Sequence, residues 1–223
     1  MTLPVAPLSI LDGLSEEERR TVLAAARRRK FKRGEVVFHE GDPGDAIHVV
    51  EKGHVVVRVS TVLGDVATLT VLGPGDSFGE GALLSPDARR TASVVAVEGA
   101  ETRAIPRSTF EELRTTYPGL ERMLTTALAA QVRRLSSHLV EALYVPAEQR
   151  VLRRLLFAAS SYGDVGEGPV TVPLTQEDLA TMAGTTRPTA NRMLKAAEDE
   201  GWLSLARGRI VVLDAAAIAH RAR

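Results

Sequence analysis

Residues 78–94 read FGEGALLSPDARRTASV. Gly79 and Gly81 bracket Glu80, a Ser-Pro-Asp insert follows, and Arg89, Arg90 and Thr91 close the stretch. A surface salt bridge between Glu80 and Arg90 would account for the charges but not for the glycines. Glycine lets backbone approach a bound group closely and leaves its amides open to an anion. An arginine fork matches phosphate oxygens, and a carboxylate accepts from sugar hydroxyls. The stretch therefore points to a ligand carrying a phosphate and a sugar, with Arg89 as the solvated arginine of the pair. A side chain whose work is on a ligand contributes little to folding, so removing Arg90 is expected to leave unfolding almost unchanged.

The surroundings of this loop define the first half of the chain. From Phe31 to about Pro106 short β-branched runs (VVF, IHVV, HVVVRV, ATLTVL, ASVVAV) alternate with glycine-rich turns (EGDPGD, EKG, LGD, GPGD). Many short strands with regular turn signals predict a β-roll, jelly roll or small barrel. Before it, SEEERRTVLAAARRR (Ser15–Arg29) has a serine N-cap, acids in its first turn and arginines in its last, and predicts a helix complementing its own dipole. After it, Ser108 opens a helical piece that Tyr117-Pro118-Gly119 interrupts. In the long segment that follows, Leu128, Val132, Leu135, Leu139 and Ala142 recur at the four-three spacing of a coiled-coil seam. The arginines beside that stripe favour a two-fold dimer helix over packing against the chain's own β domain.

Pro146 breaks this helix, and Glu148–Ser161 predicts another. A turn (GDVGEGP) and a short strand (VTVPL) precede Thr175, which with Asp178 three residues on forms a capping box. That helix ends at Ala183-Gly184, and a second runs from about Arg187 to Glu200, stopped by Gly201. WLSLA and RIVVL flank Arg207-Gly208 as a β-hairpin. Helix, glycine turn, helix and hairpin make a winged helix-turn-helix.

Composition narrows the rest. The chain has 223 residues, 28 basic and 28 acidic, and no cysteine. Disulfides, thiolate metal sites and cysteine-held iron–sulfur clusters are excluded. Balanced charge gives no bulk attraction to nucleic acid, so DNA binding must rest on a local patch. There is no apolar run of membrane-spanning length, and MTLPVAPLSIL lacks the layout of a signal peptide, so no membrane partner and a cytoplasmic location are expected. His39, His48, His54, His138 and His220 show no metal-ligand spacing, so no metal is expected; each is read as a surface or hydrogen-bonded side chain, His138 alone lying near the expected base pocket.

FGEGALLSPDARRTASV resembles the phosphate-binding cassette of cyclic-nucleotide-binding domains, and FHEGDPGDAIHVVEKG (38–53) resembles their glycine-rich turn signature. With the winged helix, the chain from about Leu8 to its end is similar to the cyclic AMP receptor protein branch of the CRP–FNR family of transcription regulators. The resemblance implies an α+β architecture: a cyclic-nucleotide-binding domain (1–115), a dimerisation helix and hinge (116–145) and a DNA-binding domain (146–223). It makes Gly79 and Glu80 the loop glycine and ribose-binding glutamate, and Arg90 and Thr91 the phosphate grip. Ala82 and Leu83 would line the pocket. The family's adenine-reading Thr-Ser pair on the dimer helix falls at Leu135-Ser136, where only the serine is kept. Cyclic AMP is the implied allosteric effector; cyclic GMP, another effector or none are the alternatives, and a cyclic-nucleotide phosphodiesterase is the rival of another class. No cluster of metal ligands or free base supports that enzyme.

In the second domain Arg187, Thr189, Asn191, Arg192 and Lys195 would face DNA, with Arg187 and Arg192 matching the family's base-reading arginines and Lys195 read as solvated. Pro188 stands where the family usually has glutamate. Proline disfavours helical backbone in the residue before it, so Arg187 is expected in an extended or capping conformation and aimed at phosphate. Arg207 and Arg209 at the hairpin tip suit phosphate contacts, and Trp202 is read as core at the base of the wing. The implied partners are a second copy of the chain, a near-palindromic operator and RNA polymerase.

Overall fold

The computed structural model describes residues 14–62, 64–81 and 89–223. The chain divides into two compact units, Met1–Val59 with Leu72–Leu135 and Ser60–Val71 with Ser136–Arg223.

The first unit opens with α1 (Glu16–Ala25), capped by a reciprocal box. Glu18 N–H donates to Ser15 Oγ at 3.3 Å and Ser15 N–H to Glu18 Oε2 at 2.7 Å. The predicted helix ends four residues early. Arg27–Phe31 is a strand, β1, paired antiparallel with β8 (Ala100–Pro106) in the register Arg27↔Ala104 to Phe31↔Ala100. Cations in a last helical turn are worth about 0.3–1 kcal/mol each. Against that stand a five-residue ladder and the burial of Phe31, worth about 1.5–3 kcal/mol by itself. The ladder wins, and the arginines lie along a sheet edge.

The other strands are β2 (Val36–Phe38), β3 (Ala46–Lys52), β4 (Val55–Ser60), β5 (Val66–Leu72), β6 (Ser77–Phe78) and β7 (Ser93–Ala96). One sheet runs β1-β8-β3-β6; in the other, β7 lies between β2 and β4. Central strand β3 is buried on both faces from Ala46 to Val50, His48 included. Ile47 and Val49 join Val22 of α1 and Phe110 and Leu113 of α2 (Arg107–Thr116) in one cluster. Val50 joins Phe31, Phe78, Val94 and Ala96 in the other. At the turn between β3 and β4, Gly53 has φ +69°, and a Cβ there would lie 2.2 Å from Gly99 O. No other residue fits that turn.

Helix α3 (Pro118–Tyr144) begins on proline at its first helical position. Leu120 and Leu124 are buried in the first cluster. Beyond them Leu128, Val132, Leu135 and Leu139 are exposed, so in a single chain the predicted seam has no apolar cover from the described residues.

The second unit is built on α4 (Ala147–Tyr162), whose Val151, Leu152, Leu155, Ala158 and Ala159 are buried. α5 (Gln176–Met182) carries the predicted Thr175–Asp178 capping box. Glycines at positive φ follow α5 (Gly184) and α6, Arg187–Asp199 (Gly201). β9 (Val170–Val172), β10 (Leu203–Ala206) and β11 (Arg209–Val212) form a sheet in the order β10-β11-β9. Thus VTVPL is the third strand of the wing. Trp202 is half-buried, its carbonyl accepting from the amides of Leu213 and Asp214. A last helix, α7 (Ala215–Arg221), is capped by Asp214, whose Oδ1 accepts from Ala217 N–H at 2.8 Å. No helix among the described residues is long and apolar enough to cross a membrane.

Candidate nucleotide pocket and candidate nucleic-acid interface

The loop after β6 meets the glycine-rich turn before β3 through backbone. Arg90 N–H donates to Asp42 O at 2.8 Å, and Gly41 N–H donates to Arg90 O at 2.8 Å. This reciprocal pair joins the two glycine-rich motifs. The Arg89 side chain turns outward to Gly41 O at 3.0 Å, and Arg89 is exposed.

Arg90, by contrast, is only 3% exposed. Its Nη1 donates to Gly79 O at 3.1 Å and its Nη2 to Asp45 Oδ1 at 3.1 Å. The guanidinium carbon sits 4.0 Å from the centroid of the Phe38 ring. Gly79, just after β6, sits where only glycine fits. Its φ is +89°, and a Cβ would fall 2.5 Å from Arg90 Nη1. Glu80 and Arg90 form no direct salt bridge in the structure; Asp45 holds Arg90 instead. A Cβ on Gly81 would lie 3.8 Å from Thr91 Oγ1, so Thr91 flanks the same loop, exposed.

Glu80 Oε2, Arg90 Nε and Arg134 Nη1 are buried without a hydrogen-bond partner among the described residues. Burial pushes the Glu80 carboxyl above its ordinary value, and the Arg134 and Arg90 cations oppose that rise. Burial likewise lowers Arg90, opposed by Asp45, Asp42 and Glu80. Such open valences cost about 1–3 kcal/mol each when left unmet, more when charged. The donors and acceptor that remain suit an anion and a hydroxyl. Sequence reading missed Asp45, Phe38 and Arg134. Asp45 ends the EGDPGD turn and could have been weighed as a partner. Arg134 lies beside the apolar stripe, and nothing in the spacing ties it to Glu80.

Ala82 and Leu83 lie outside the described residues. Leu135 and Ser136 are both exposed on α3. The histidines behave as hydrogen-bonded or surface groups. His48 bonds Thr102 at 3.1 Å and stacks on Phe78, His54 bonds Glu98 at 2.6 Å, and His138 takes a 2.9 Å contact from Arg154; His39 and His220 are exposed. Burial, helped by Arg90 and Arg29, lowers His48 to about 4.

On α6 the predicted DNA-facing residues are paired within the second unit. Arg187 lies 3.9 Å from Glu177, Arg192 donates to Glu148 at 2.9 Å, and Lys195 lies 3.9 Å from Glu198. Asn191 donates to Gln176 Oε1 at 2.6 Å, and Thr189 and Thr186 hydroxyls are 3.2 Å apart. Arg207 and Arg209 are exposed at the wing tip. The expectation for Arg187 is corrected. It is the first helical residue of α6, with Pro188 second and Thr186 taking the extended cap conformation. Proline disfavours helical backbone before it without forbidding it, and in the first turn its missing N–H forfeits no hydrogen bond.

Residues 28–117 match the family described as cyclic nucleotide-binding domain, and residues 149–221 match the Crp-like helix-turn-helix domain. The chain is 34% identical over 207 residues to the cyclic AMP receptor protein of Thermus thermophilus, covering 93% of each. It is 31% identical over 195 residues to the CRP-like cAMP-activated global transcriptional regulator of Mycobacterium tuberculosis, covering 86% of this chain and 87% of the relative. Among solved structures, Thermus thermophilus catabolite activator protein aligns with a TM-score of 0.56 at 32% identity, over 96% of this chain and 97% of that one. FixK2 from Bradyrhizobium japonicum shares the fold, with a TM-score of 0.75 at 21% identity over 87% and 96% of the two chains. Loop, strands, winged helix and relatives agree: the chain belongs to the CRP–FNR family of transcription regulators, in the branch of the cyclic AMP receptor protein.

Proposed function

We propose that this chain is a homodimeric DNA-binding regulator whose allosteric effector is a cyclic nucleotide, cyclic AMP. The observation that carries the reading is the trio of buried, unpartnered polar atoms on Glu80, Arg90 and Arg134, in a loop where a Cβ on Gly79 would collide with Arg90. A cyclic phosphate supplies the anion that Arg90 lacks at Nε. A ribose hydroxyl supplies the donor that Glu80 Oε2 lacks. Thr91 adds a hydroxyl at the mouth of the loop, and Ala82 and Leu83 belong to the same loop by sequence. The exposed stripe Leu128, Val132, Leu135 and Leu139 supports pairing of α3 with its counterpart in a second copy, which would bring Ser136 to the nucleotide base.

In this reading residues 1–115 bind the effector, 116–145 dimerise and 146–223 bind DNA. Nucleotide shifts the equilibrium because it binds one arrangement of the dimer more tightly than the other. The two α6 helices would then enter successive major grooves about 34 Å apart on a near-palindromic operator. There Arg187, Asn191 and Arg192 reach base edges, while Thr189, Lys195, Arg207 and Arg209 hold phosphates. RNA polymerase is the partner such a regulator recruits or obstructs.

The test is calorimetric titration with cyclic AMP and cyclic GMP, with operator binding measured with and without each. Saturable cyclic AMP binding that tightens operator binding supports the reading. Operator binding indifferent to both nucleotides would leave a regulator with another effector or none. Conversion of cyclic AMP to AMP would instead make the loop an enzyme site.

A further inference from the structure

Arg150 lies near the start of α4 and is partly buried. Its guanidinium donates to four backbone carbonyls in two places. Nη1 reaches Val145 O at 2.7 Å and Ala142 O at 3.4 Å, at the end of α3. Nε reaches Ala183 O at 2.8 Å and Nη2 reaches Gly184 O at 3.0 Å, at the end of α5. Both places are helix C-termini, where carbonyls are left without intrahelical donors and a cation meets the negative end of the dipole. Gly184 is two residues before Thr186, the N-cap of α6. One side chain therefore holds the last turn of α3 and the turn that launches α6.

The neighbouring arginines do something different. Arg153 joins Glu141 at 3.1 Å to Ala222 O at 2.8 Å, and Arg154 joins Glu141 to His138. They fasten α3 to α4 and to the chain's last residues; the contacts of neither include the α5–α6 turn among the described residues. We propose that Arg150 is the positioning residue that carries a shift at the end of α3 into the turn before α6, so that the ligand state of α3 sets the placement of the DNA-reading helix. The fork geometry matters: guanidinium presents five N–H groups in a fixed plane, whereas lysine presents one point charge. The inference rests on the reading that nucleotide acts through α3.

The test uses the full chain and the ratio of operator affinities with and without cyclic AMP. Coupled sites commonly show about 5–150-fold. Arg150→Gln and Arg150→Lys should bring the ratio to about 1–2, with nucleotide affinity in the absence of DNA kept within about threefold. Arg153→Gln should keep the ratio. A wild-type ratio in either Arg150 variant overturns the proposal, as does equal loss in Arg153→Gln. A second arm stands even if the wild type ignores nucleotide, which would be the failure of the functional reading. Amide exchange in residues 142–147 and 183–190 should accelerate together in Arg150→Gln and in neither segment of Arg153→Gln. Acceleration in only one segment, or in none, overturns the linkage. If both Arg150 variants lost cooperative unfolding, Arg150 would be a structural staple and the proposal would be wrong.

Discussion

Arg90 and Arg192 are both arginines proposed to meet phosphate-bearing ligands, and the protein treats them in opposite ways. The Arg90 side chain is 2% exposed, lies against an aromatic ring and keeps a nitrogen unpartnered. The Arg192 side chain is 71% exposed and bonds a carboxylate that is itself in water. A buried charge is held at considerable desolvation cost, so its geometry is fixed by the fold before any ligand arrives. An exposed ion pair is worth about 0.2–1 kcal/mol, so its partner can be exchanged for a phosphate or a base at little cost. The first arrangement suits one small ligand in one pose. The second suits a long polyanion that must be sampled at many sites.

The strongest way to break this contrast is to remove each arginine in turn. Arg90→Ala should weaken cyclic nucleotide binding by about tenfold to 150-fold, the loss of a charge-assisted contact of roughly 1.5–3 kcal/mol. It should also lower stability by about 2 kcal/mol, because a desolvated contact with Phe38 disappears with it. That revises the expectation that Arg90 matters only to ligand; its depth was invisible in the sequence. Arg192→Ala should leave unfolding within about 0.5 kcal/mol of wild type. Calorimetry and thermal melts on both variants decide the matter, and nucleotide binding undiminished in Arg90→Ala would remove the phosphate grip altogether.

Protons offer a sharper probe of the buried side. Burial raises Glu80 in the ligand-free chain, and a ribose hydroxyl needs the ionised carboxylate as its acceptor. Protons and nucleotide therefore compete. Affinity is full above the raised Glu80 value and falls as the pH drops through it, approaching about tenfold per pH unit for a single linked proton. Glu80→Gln should bind more weakly and flatten that dependence, measured by titration from neutrality downward. An equally steep wild-type and mutant profile would assign the linked proton elsewhere.

What the sequence disclosed depended on how far apart the interacting residues lie. The Ser15–Glu18 and Thr175–Asp178 boxes are local, three residues each, and both were legible. The glycine turns and β-branched runs likewise mark their own strands. β1 was not legible, because four consecutive cations carry no strand pattern and only pairing with β8, some seventy residues away, makes them one. The charges of the nucleotide loop could be read from its motif. Its supports were harder to see: Phe38 ends β2, Asp45 closes the turn before β3 as one acid among several, and Arg134 sits on a helix whose visible pattern was its apolar stripe. Asp214 and α7 went unread because a short alanine-rich run has little periodicity to show.

On the exposed side, Pro188 tests whether the helix start or the side chain sets specificity. Since Arg187 is helical despite the proline, the backbone of α6 needs no rearrangement to accept glutamate there. Pro188→Glu should add a carboxylate acceptor for a cytosine amino group. The gain is about 1–3 kcal/mol of discrimination at one base pair, with the guanine preference set by Arg192 unchanged. Binding-site selection on a randomised half-site reads this directly. If the wild type already demands one base at that position as strictly as the mutant, the lost contact has been replaced by another residue.

The smallest effect belongs to Glu148, and it bears on the contrast most closely. Its carboxylate accepts from Arg192 Nη2 at 2.9 Å, with both groups in water. DNA must displace that carboxylate before Arg192 can reach a base, so the pair acts as a weak competitor. Glu148→Gln should raise operator affinity by the value of an exposed pair, about 0.2–1 kcal/mol or roughly 1.4-fold to fivefold. The gain should shrink as salt rises, since the screening length falls from about 30 Å at 0.01 M to about 10 Å at 0.1 M. Unfolding should be unaffected within about 0.5 kcal/mol. Unchanged operator affinity at low salt would show that Glu148 does not restrain Arg192. A gain far beyond tenfold would place this pair in the same class as the buried one and erase the distinction between the two sites.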